Sequence, residues 1–350
     1  MSFPAPAVSL IVPCRNEARH IRDCLDSLLA MDYPAGRLEI LVVDGESDDG
    51  TPAIVREYLA QHACIRLLNN PGRITSCALN IGIRGSAGSA VVLIGAHSEY
   101  PSSYVRLLMK HLSDSGAAAV GGVCRTVPGA PTATARGIAA ALSHPFGVGN
   151  SYFRIGASSA RWVDTVPFGC YRREVFERYG LFDEELVRNQ DDEFNLRLAK
   201  GGGRLLLVPE ITSRYYARET FAQLGRMFYQ YGLYKPLVAK KLGRVMTLRQ
   251  LAPAAFVVGL LVALVLAVWW PAGRLLLGIL LSTYPLAALG CCAGLLRRDP
   301  KAGLASALAF PVLHLSYGLG FLAGMLRLAR GRGRWKERAL PVPLDRKSVV

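Results

Sequence analysis

The sequence predicts an α/β fold with a doubly wound, mostly parallel sheet, followed by an α-helical membrane domain. Two observations predict it. Short β-branched runs alternate with amphipathic stretches over the first 120 residues, and three long apolar segments without charge follow residue 250. Alternation of buried strands with helices is typical of a parallel sheet covered on both faces, and about 20 apolar residues are enough to cross a bilayer.

The alternation gives each element of the sheet in order. In the first helical stretch, Ile21, Leu25 and Leu28 recur at the spacing of one helix face. Strands are predicted over residues 8–12, 38–43, 65–68 and 90–94, and helices over residues 18–29, 51–59 and 74–83. Because ligands bind beyond the carboxyl ends of the strands in such sheets, we expect the functional site where these strands end.

Three membrane segments are predicted at about residues 251–273, 275–296 and 302–326. Basic residues precede the first segment and follow the second, as a hairpin that leaves the cytoplasm and returns requires. A full crossing by the third segment would carry the basic residues of 327–338 outward, against the same bias. Because Pro311 lies within this segment, we expect the segment to break there and to re-enter on the same side. A plain third crossing stays open, as the simplest use of 25 apolar residues.

Two pairs of glycines in these segments have the spacing that lets helices approach closely. They are Gly290 with Gly294 and Gly320 with Gly324. Ordinary glycines of a membrane helix would show the same spacing by chance, so both interpretations stay open.

The net charge of +15 belongs entirely to the C-terminal part. Residues 1–219 hold 23 basic and 23 acidic residues, whereas residues 220–350 hold 18 basic and three acidic ones. A nucleic-acid-binding protein carries its basic patch on the folded domain, but here the charge flanks apolar segments, so it indicates membrane contact and excludes nucleic acid as a partner. We predict a cytosolic α/β domain (1–219), an interfacial amphipathic helix region (220–249), a membrane domain (250–327) and a basic cytosolic tail (328–350).

The cysteines agree with a cytosolic location. None of the eight shows C-x-x-C spacing, and no secretory signal opens the chain. We therefore expect the soluble part to lie in a reducing compartment.

Polar runs follow three of the predicted strands, at residues 13–17, 44–51 and 95–99. Acidic groups at such positions bind the base or ribose of a nucleotide, or hold a divalent cation against its phosphates. No G-x-x-x-x-G-K-[ST] motif is present, and the G-x-G-x-x-A run at residues 318–323 lies inside an apolar segment. P-loop proteins and dinucleotide-binding dehydrogenases are therefore excluded.

At these runs the chain resembles family 2 glycosyltransferases, which have the GT-A fold, over about residues 8–218. The family's P-x-x-N-E motif stands at residues 13–17, and its D-x-x-S-x-D-G-T motif at residues 44–51. The family's E-D-x-D/E-L-x-x-R-L helix is similar to residues 189–198. Stretches similar to the succinoglycan-type exopolysaccharide branch, whose members carry C-terminal membrane segments, lie at residues 146–151, 165–169 and 230–235.

The resemblance implies roles for individual residues. Asp191 would be the general base, and Glu17 and Asp44 would contact the base and ribose of the donor nucleotide. The donor side would also include Pro13, Arg15 and Arg73, and the acceptor or diphosphate side would include Asp192, Gly169, Arg218 and Gln230. A carboxylate at a helix N-terminus suits a general base because its anionic form is favoured there.

Two positions depart from the family pattern. The family's D-x-D after the fourth strand is replaced by Gly95-Ala96-His97, and the acidic residue before Asp191 is replaced by Gln190. We expect His97 to be the remaining metal ligand and a divalent cation, Mg²⁺ or Mn²⁺, to be the cofactor. Purely structural interpretations stay open. His97 would then be an ordinary surface or core histidine, and residues 191–193 would complement the dipole at the start of a helix. Asp48, Asp49 and Thr51 would cap a helix.

These features predict an inverting glycosyltransferase on the cytosolic side of a bacterial-type inner membrane. It would transfer a hexose, with glucose expected, from a UDP-sugar to a polyprenyl-diphosphate-linked saccharide during exopolysaccharide assembly. Such a displacement needs a carboxylate to deprotonate the acceptor and a cation to stabilise the departing diphosphate. Two alternatives remain. One is a processive polysaccharide synthase, although its Q-x-x-R-W signature is not present intact, and the other is a catalytically silent membrane scaffold.

Overall fold

The computed structural model describes residues 7–34, 36–243 and 248–331. Its contacts divide the chain into two compact units. Within the described residues, the first unit comprises residues 7–125 together with Gly156–Tyr215, and the second comprises Thr126–Ile155 together with residues 216–331. The sequence predicted a single domain over residues 1–219, so the assignment of Thr126–Ile155 to the second unit differs from that expectation.

The elements follow one another along the chain as β1 (Val8–Cys14), α1 (Ile21–Leu29), β2 (Leu38–Asp44), α2 (Thr51–Leu59), β3 (Ile65–Asn69), α3 (Thr75–Gly85), β4 (Ala90–Leu93), β5 (Ser98–Glu99), α4 (Tyr104–Ser115), β6 (Ala119–Val127), α5 (Ala133–Leu142), α6 (Pro145–Val148), α7 (Tyr152–Ile155), β7 (Arg161–Val163), β8 (Cys170–Arg172), α8 (Arg173–Tyr179), α9 (Gln190–Lys200), β9 (Leu205–Tyr216), α10 (Phe221–Leu242), α11 (Leu248–Trp269), α12 (Pro271–Cys291), α13 (Ala293–Arg298) and α14 (Pro300–Ala329). The four strands and three helices predicted over the first 94 residues are all present, with their ends shifted by a few residues.

The strands form a mixed sheet with the order β3-β2-β1-β4-β8-β6-β9-β5, and β7 pairs with β9. The pairs β1–β2, β1–β4 and β2–β3 are parallel, whereas β4 and β8 are antiparallel. The chain therefore moves to one side of β1 to form β2 and β3, and returns to its other side to form β4. In parallel sheets the crevice at such a switch point, beyond the carboxyl ends of the strands, is where ligands bind.

Both faces of the sheet are buried, as the apolar runs predict. Leu10 and Val12 of β1 belong to one core cluster, whereas Ile11 between them belongs to the other. The second cluster includes an aromatic group in which the ring of Phe194 lies 4.6 Å from that of Phe182 and 5.3 Å from that of Phe176. Phe194 is on α9, so this packing fixes α9 against the sheet.

The second unit is helical and is built on close contacts between α10 and α14. A β-carbon added to Gly232 would clash with the carbonyl oxygen of Tyr317, and β-carbons on Gly320 and Gly324 would clash with carbonyl oxygens of α10. The predicted close approach at Gly320 and Gly324 is therefore confirmed. A β-carbon on Gly290 or Gly294 would meet nothing within 4 Å among the described residues, so that pair packs against no helix here.

Within the part of the chain that the structure describes, three helices are long and apolar enough to cross a membrane: Gln250–Trp269, Pro271–Cys291 and Pro300–Ala329. The expectation that the third segment breaks at Pro311 is wrong, because α14 runs through it without interruption. A proline inside a helix removes one backbone hydrogen bond, and packing against neighbouring helices keeps the chain helical. The predicted tail over residues 328–350 lies, from residue 332 onwards, outside the described residues.

Candidate active site

The loops after β1 and β2 are tied together by hydrogen bonds. The backbone amide of Asn16 donates to Ser47 Oγ over 2.8 Å, and the amide of Asp48 donates to Asn16 Oδ1 over 2.9 Å. The amide of Glu17 donates to Thr51 Oγ1 over 2.8 Å. The two motifs that carry the family resemblance thus form one hydrogen-bonded structure at the carboxyl edge of the sheet.

Asp49 contributes to this structure and is not an N-cap residue, because Gly50 holds that position. Its carboxylate accepts hydrogen bonds from Thr51 Oγ1 at 2.6 Å and from the amide of Ala18 at 3.0 Å. Burial raises the pKa of Asp49, but these hydrogen bonds outweigh burial and bring its pKa below the ordinary value. Asp49 therefore ties the two loops together in its ionised form.

Asp44 ends β2 and is buried. One of its carboxylate oxygens accepts from Ser47 Oγ at 2.5 Å and the other from the Ser47 amide at 3.0 Å, while the thiol of Cys14 lies 3.7 Å away. A carboxylate has about four acceptor positions, so these three donors leave capacity for a hydroxyl or N–H group of a ligand. The structure therefore holds Asp44 in a fixed orientation at the end of the strand.

Three non-glycine residues around this edge have left-handed backbone conformations. They are Asn16 (φ 59°), Glu46 (φ 56°) and Arg73 (φ 57°). Such conformations cost about 1–3 kcal/mol each and cluster at functional sites. The side chains of Glu46 and Arg73 form an ion pair, which places the predicted donor-side residue Arg73 beside the loop after β2.

Arg15 lies across Gly45, whose own β-carbon would be 3.2 Å from the Arg15 side chain. The Nε atom of Arg15 is buried and has no hydrogen-bond partner among the described residues, and the same is true of the hydroxyl of Ser98. Buried polar atoms without partners are rare because they cost free energy. Both atoms are available to a polar ligand bound at this edge.

His97 and Glu17 are both buried and lie side by side, with 3.3 Å between His97 Nδ1 and Glu17 Oε1. The imidazole also packs against the ring of Tyr215 at 5.6 Å. The resemblance implied that Glu17 contacts the nucleotide, whereas in this structure its carboxylate adjoins His97. Pro13, the residue at the other end of this motif, is buried in β1 and pairs with Val43.

No group of three or more His, Cys, Asp or Glu side chains within the described residues could hold a metal ion alone. His97 offers one ligating nitrogen, with the Glu17 carboxylate beside it, and a cation there would need its remaining ligands from diphosphate oxygens and water. Mg²⁺ in nucleotide sites is commonly bound in this shared way. The donor set fits a cation that arrives with the nucleotide.

The position of the family's first D-x-D aspartate is occupied by the ring of Phe168. A β-carbon on Gly95 would lie 2.7 Å from Cε1 of Phe168 and 3.1 Å from the hydroxyl of Ser98. Phe168 has φ 45°, another left-handed conformation outside glycine. The sequence did not identify Phe168 as a site residue, and the glycine at position 95 was the only signal of it.

Asp191 lies in the first turn of α9 and is exposed. Its Oδ1 accepts a hydrogen bond from the amide of Asp192 over 2.9 Å. Glu193 differs from both, because it is buried and pairs with Arg197 at 2.9 Å. Of the three acidic residues, Glu193 is thus structural, and Asp191 is the one whose carboxylate faces solvent at the helix N-terminus.

A buried hydrogen-bond chain lies beneath Asp191. The hydroxyl of Tyr171 donates to Asn195 Oδ1 over 2.8 Å, and Asn195 Nδ2 donates to Thr165 Oγ1 over 3.0 Å. Burial raises the pKa of Tyr171, and the charge of Asp191 raises it further. Gly169 is part of the same contact, since a β-carbon there would lie 2.8 Å from the Tyr171 ring.

The remaining predicted acceptor-side residues are distributed over both units. Asp192 lies with Asp191 on α9 and is half-buried. Arg218 precedes α10 and Gln230 lies within it, so both belong to the second unit. The structure brings Arg15, Glu17, Asp44, Arg73 and His97 to one edge of the first unit.

Comparison with known proteins identifies the family of the chain. Residues 9–180 match the family model for glycosyl transferase family 2. The chain is 30% identical over 325 residues to the succinoglycan biosynthesis protein ExoA of Rhizobium meliloti (strain 1021), a match that covers 92% of this chain and 96% of that protein. It is also 30% identical over 246 residues to a dolichyl N-acetyl-alpha-D-glucosaminyl phosphate 3-beta-D-2,3-diacetamido-2,3-dideoxy-beta-D-glucuronosyltransferase of Methanococcus voltae, covering 67% of this chain and 74% of that enzyme.

Among solved structures, the chain is similar to the mannosyltransferase PcManGT from Pyrobaculum calidifontis in complex with GDP-Man and Mn²⁺. The TM-score is 0.60 at 21% sequence identity, and the match covers 95% of this chain and 89% of that one. This likeness shows the GT-A fold and confirms the predicted fold class.

The chain belongs to glycosyltransferase family 2. It is a glycosyltransferase with the GT-A fold, followed by apolar helices long enough to span a membrane. The family resemblance drawn from the motifs is confirmed, and the alternative of a catalytically silent scaffold is set aside.

Proposed function

We propose that this enzyme transfers a hexose from a UDP-sugar to a polyprenyl-diphosphate-linked saccharide, with inversion at the anomeric carbon, during exopolysaccharide assembly. Glucose is the sugar we expect. The observation that carries the proposal is the match to a succinoglycan biosynthesis protein over nearly the whole of both chains, membrane helices included. A match confined to the catalytic domain would not distinguish this role from other family 2 activities.

The donor nucleotide would bind at the carboxyl edge of β1, β2 and β4. Asp44 would accept a hydrogen bond from the base or ribose, because its carboxylate is held by Ser47 with acceptor capacity remaining. The buried and unpartnered Nε of Arg15 would donate to the same nucleotide. Arg73 would lie at the rim of the site, where Glu46 holds it.

A divalent cation, Mg²⁺ or Mn²⁺, would be held by His97, with Glu17 beside it. The mannosyltransferase of the same fold was crystallised with Mn²⁺, which supports the proposal. When bound, such a cation neutralises negative charge on the departing diphosphate. Glu17 adjoins His97 Nδ1 and would keep the imidazole oriented, as carboxylates commonly do for metal-bound histidines.

Asp191 would act as the general base. An acceptor hydroxyl oxygen attacks the anomeric carbon as the bond between that carbon and the diphosphate oxygen breaks, and the hydroxyl proton passes to the Asp191 carboxylate. The exposed position of Asp191 in the first turn of α9 makes it accessible to an acceptor. Because the helix dipole favours its anionic form, the base is ready at neutral pH.

A physical argument also supports a lipid-linked acceptor, in addition to the family relationship. A lipid-linked saccharide is confined to the bilayer surface, so attachment of the enzyme to the cytosolic face of the inner membrane raises the local concentration of its acceptor. The apolar helices of the second unit would provide that attachment.

The test is transfer by purified protein in nanodiscs that contain lipid-linked intermediates extracted from membranes. Radiolabelled UDP-glucose, UDP-galactose and GDP-mannose are offered in parallel, and the anomer of the product is determined by NMR. We expect label from UDP-glucose in the lipid fraction with a β-linkage from the α-donor, and none with Asp191→Asn. Transfer only from GDP-mannose, or a product with retained configuration, would contradict the proposal.

A further inference from the structure

The three apolar helices are covered by protein to different extents. In the most apolar 18-residue stretch of each helix, the share buried inside the protein is 17% for α11, 6% for α12 and 44% for α14. A span that contacts lipid on all sides has little need of protein cover, whereas nearly half of this stretch of α14 is covered by protein. The difference suggests that α14 is not placed in the membrane as the other two are.

α5 and α10 provide much of the cover of α14. The hairpin contacts α14 too, since a β-carbon on Gly318 would lie 2.5 Å from the carbonyl oxygen of Pro253 in α11. A β-carbon on Gly137 of α5 would lie 2.6 Å from Ala305, and Arg136 forms an ion pair of 2.8 Å with Asp299 at the start of α14. Further along, a β-carbon on Gly225 of α10 would lie 3.1 Å from Ser316. The Gly232, Gly320 and Gly324 contacts described above continue this seam towards the end of α14.

The charges of α10 are incompatible with a crossing by α14. Arg226 is exposed and follows Gly225, which lies against Ser316, close to the midpoint of Pro300–Ala329. Lys235 is buried, and Lys240 and Lys241 are exposed near the end of the seam. If α14 crossed the bilayer, Arg226 would be brought close to the bilayer centre, where a charged side chain is expensive.

The large apolar side chains of α14 that are exposed lie on one side of the helix. They are Leu304, Leu308, Leu319 and Leu326, with Met325 beside them. Separations of 4, 11 and 7 residues return to the same side of a helix at 3.6 residues per turn. A stripe of leucines on one side of a helix can enter the apolar edge of the membrane interface while the rest of the helix stays against protein.

The hairpin of α11 and α12 presents the opposite pattern. Large apolar side chains are exposed around much of both helices: Val258, Leu261, Val262, Leu264, Val265 and Val268 on α11, and Leu275, Leu276, Ile279, Leu281, Leu286 and Leu289 on α12. At the turn, Trp269 and Trp270 are 75% and 60% exposed. Each leg has about the 20 residues needed to cross a bilayer, and tryptophan favours the far interface.

We infer that the α11–α12 hairpin alone inserts into the bilayer, and that α14 lies flat on the membrane surface with its leucine stripe towards the lipid and with α5 and α10 on its protein side. Both legs of the hairpin then begin and end on one side of the membrane, and α14 lies on that side. The positive-inside bias makes this the cytosolic side, because Arg297, Arg298 and Lys301 lie between the hairpin and the body of α14.

The depth of α14 is measured by spin labelling of the full-length protein in vesicles of phosphatidylethanolamine and phosphatidylglycerol. Single cysteines replace Leu304, Leu308, Leu319 and Leu326, with Val265 and Leu281 as matched positions on the hairpin. Cys64 and Cys291, which are half-buried, are first replaced by serine. Each variant is checked by circular dichroism and thermal unfolding, so that only folded protein is compared.

We expect all four α14 positions to report one shallow depth, on the order of 5–10 Å into the interface, and the two hairpin positions to report greater depth. If Leu308 and Leu319 lie much deeper than Leu304 and Leu326, α14 crosses and the inference is wrong.

A second measurement labels Ser348→Cys with an impermeant maleimide in right-side-out and inverted vesicles. Labelling in inverted vesicles only supports the inference, and labelling in right-side-out vesicles overturns it. Neither readout depends on which sugar is transferred, so this inference and the proposed function fail separately.

Discussion

The ring of Phe168 fills the space that a side chain at position 95 would need, with 2.7 Å between its Cε1 atom and a β-carbon built on Gly95. Phe168 also packs edge-on against Tyr100 at 5.9 Å, and its carbonyl accepts from the hydroxyl of Tyr104 at 3.3 Å. The absence of the family's first D-x-D aspartate is therefore accompanied by an aromatic side chain in its place.

This relationship predicts that Gly95→Asp does not restore a metal ligand but displaces Phe168. Overpacking of this kind costs about 1–3 kcal/mol, and we expect both stability and transfer to decrease. Gly95→Ala is the matched control, because it adds the clash without a carboxylate. Phe168→Ala in the same chain should recover much of the loss, and strictly additive effects in the double variant would contradict the coupling.

Asp191→Asn should lower the transfer rate by about 10²–10⁴-fold, since it removes the proton acceptor and keeps the side-chain size. Binding of UDP, measured by calorimetry, should stay within about twofold of the unmodified protein. Asp114→Asn, an exposed position on α4, serves as the control and should leave both quantities unchanged. Normal turnover by Asp191→Asn would remove the residue from the mechanism.

Asp44→Ala should weaken UDP binding by about five- to 150-fold, the equivalent of 1–3 kcal/mol for a partner left unsatisfied. Ser47→Ala loosens the same loop but keeps the carboxylate, so its effect on the dissociation constant for UDP should be smaller. Equal effects of the two substitutions would mean that Asp44 acts only by holding the loop.

Asp49→Asn tests the ionised tie between the two loops. The pKa of Asp49 in the folded protein is below its ordinary value, so its ionisation stabilises the fold above the ordinary pKa of an aspartate, about 3.9. That contribution is lost as the pH falls through the folded-state pKa. We expect a lower melting temperature for Asp49→Asn at pH 7 and a difference that shrinks towards pH 3. If the difference in melting temperature instead grows as the pH falls, ionised Asp49 does not stabilise the fold.

Gly232→Ala should destabilise the second unit, because the added methyl group meets the backbone carbonyl of Tyr317. Gly290→Ala adds the same group where nothing lies within 4 Å, and it should be neutral or slightly stabilising because alanine favours helices over glycine by about 1 kcal/mol. Thermal unfolding in one detergent compares them directly. Equal melting temperatures for the two variants would contradict the close packing of α10 on α14.

The sequence predicted β1 to β4 and the edge where the loops after β1 and β2 meet, but it did not predict β5 to β9. Buried strands such as β1 are continuous apolar runs, and the polar residues after them must meet at one edge because parallel strands end together. The two motifs after β1 and β2 could therefore be placed before their side chains were seen.

Contacts between distant residues could not be predicted in the same way. Glu17 and His97 are 80 positions apart, and the Tyr171 and Asn195 pair depends on how α9 packs on the sheet. The path of α14 was misjudged for a similar reason. Proline predicts a break when a helix is considered alone, but α14 is held along its length by α5 and α10, which are remote in sequence.

The backbone amide of Asn16 donates a hydrogen bond to the side chain of Ser47 across the two motif loops. With Asp48, Asp49 and Thr51 bonded across the same two loops, the main chain around the donor has little freedom left to lose. We therefore expect the nucleotide to bind to a preorganised site. Association should be rapid, the entropic cost of binding should be small, and a nucleotide with a different base should bind poorly. A change of donor preference in this enzyme would therefore require substitutions in these two loops, because the loops would not adapt their conformation to a different nucleotide.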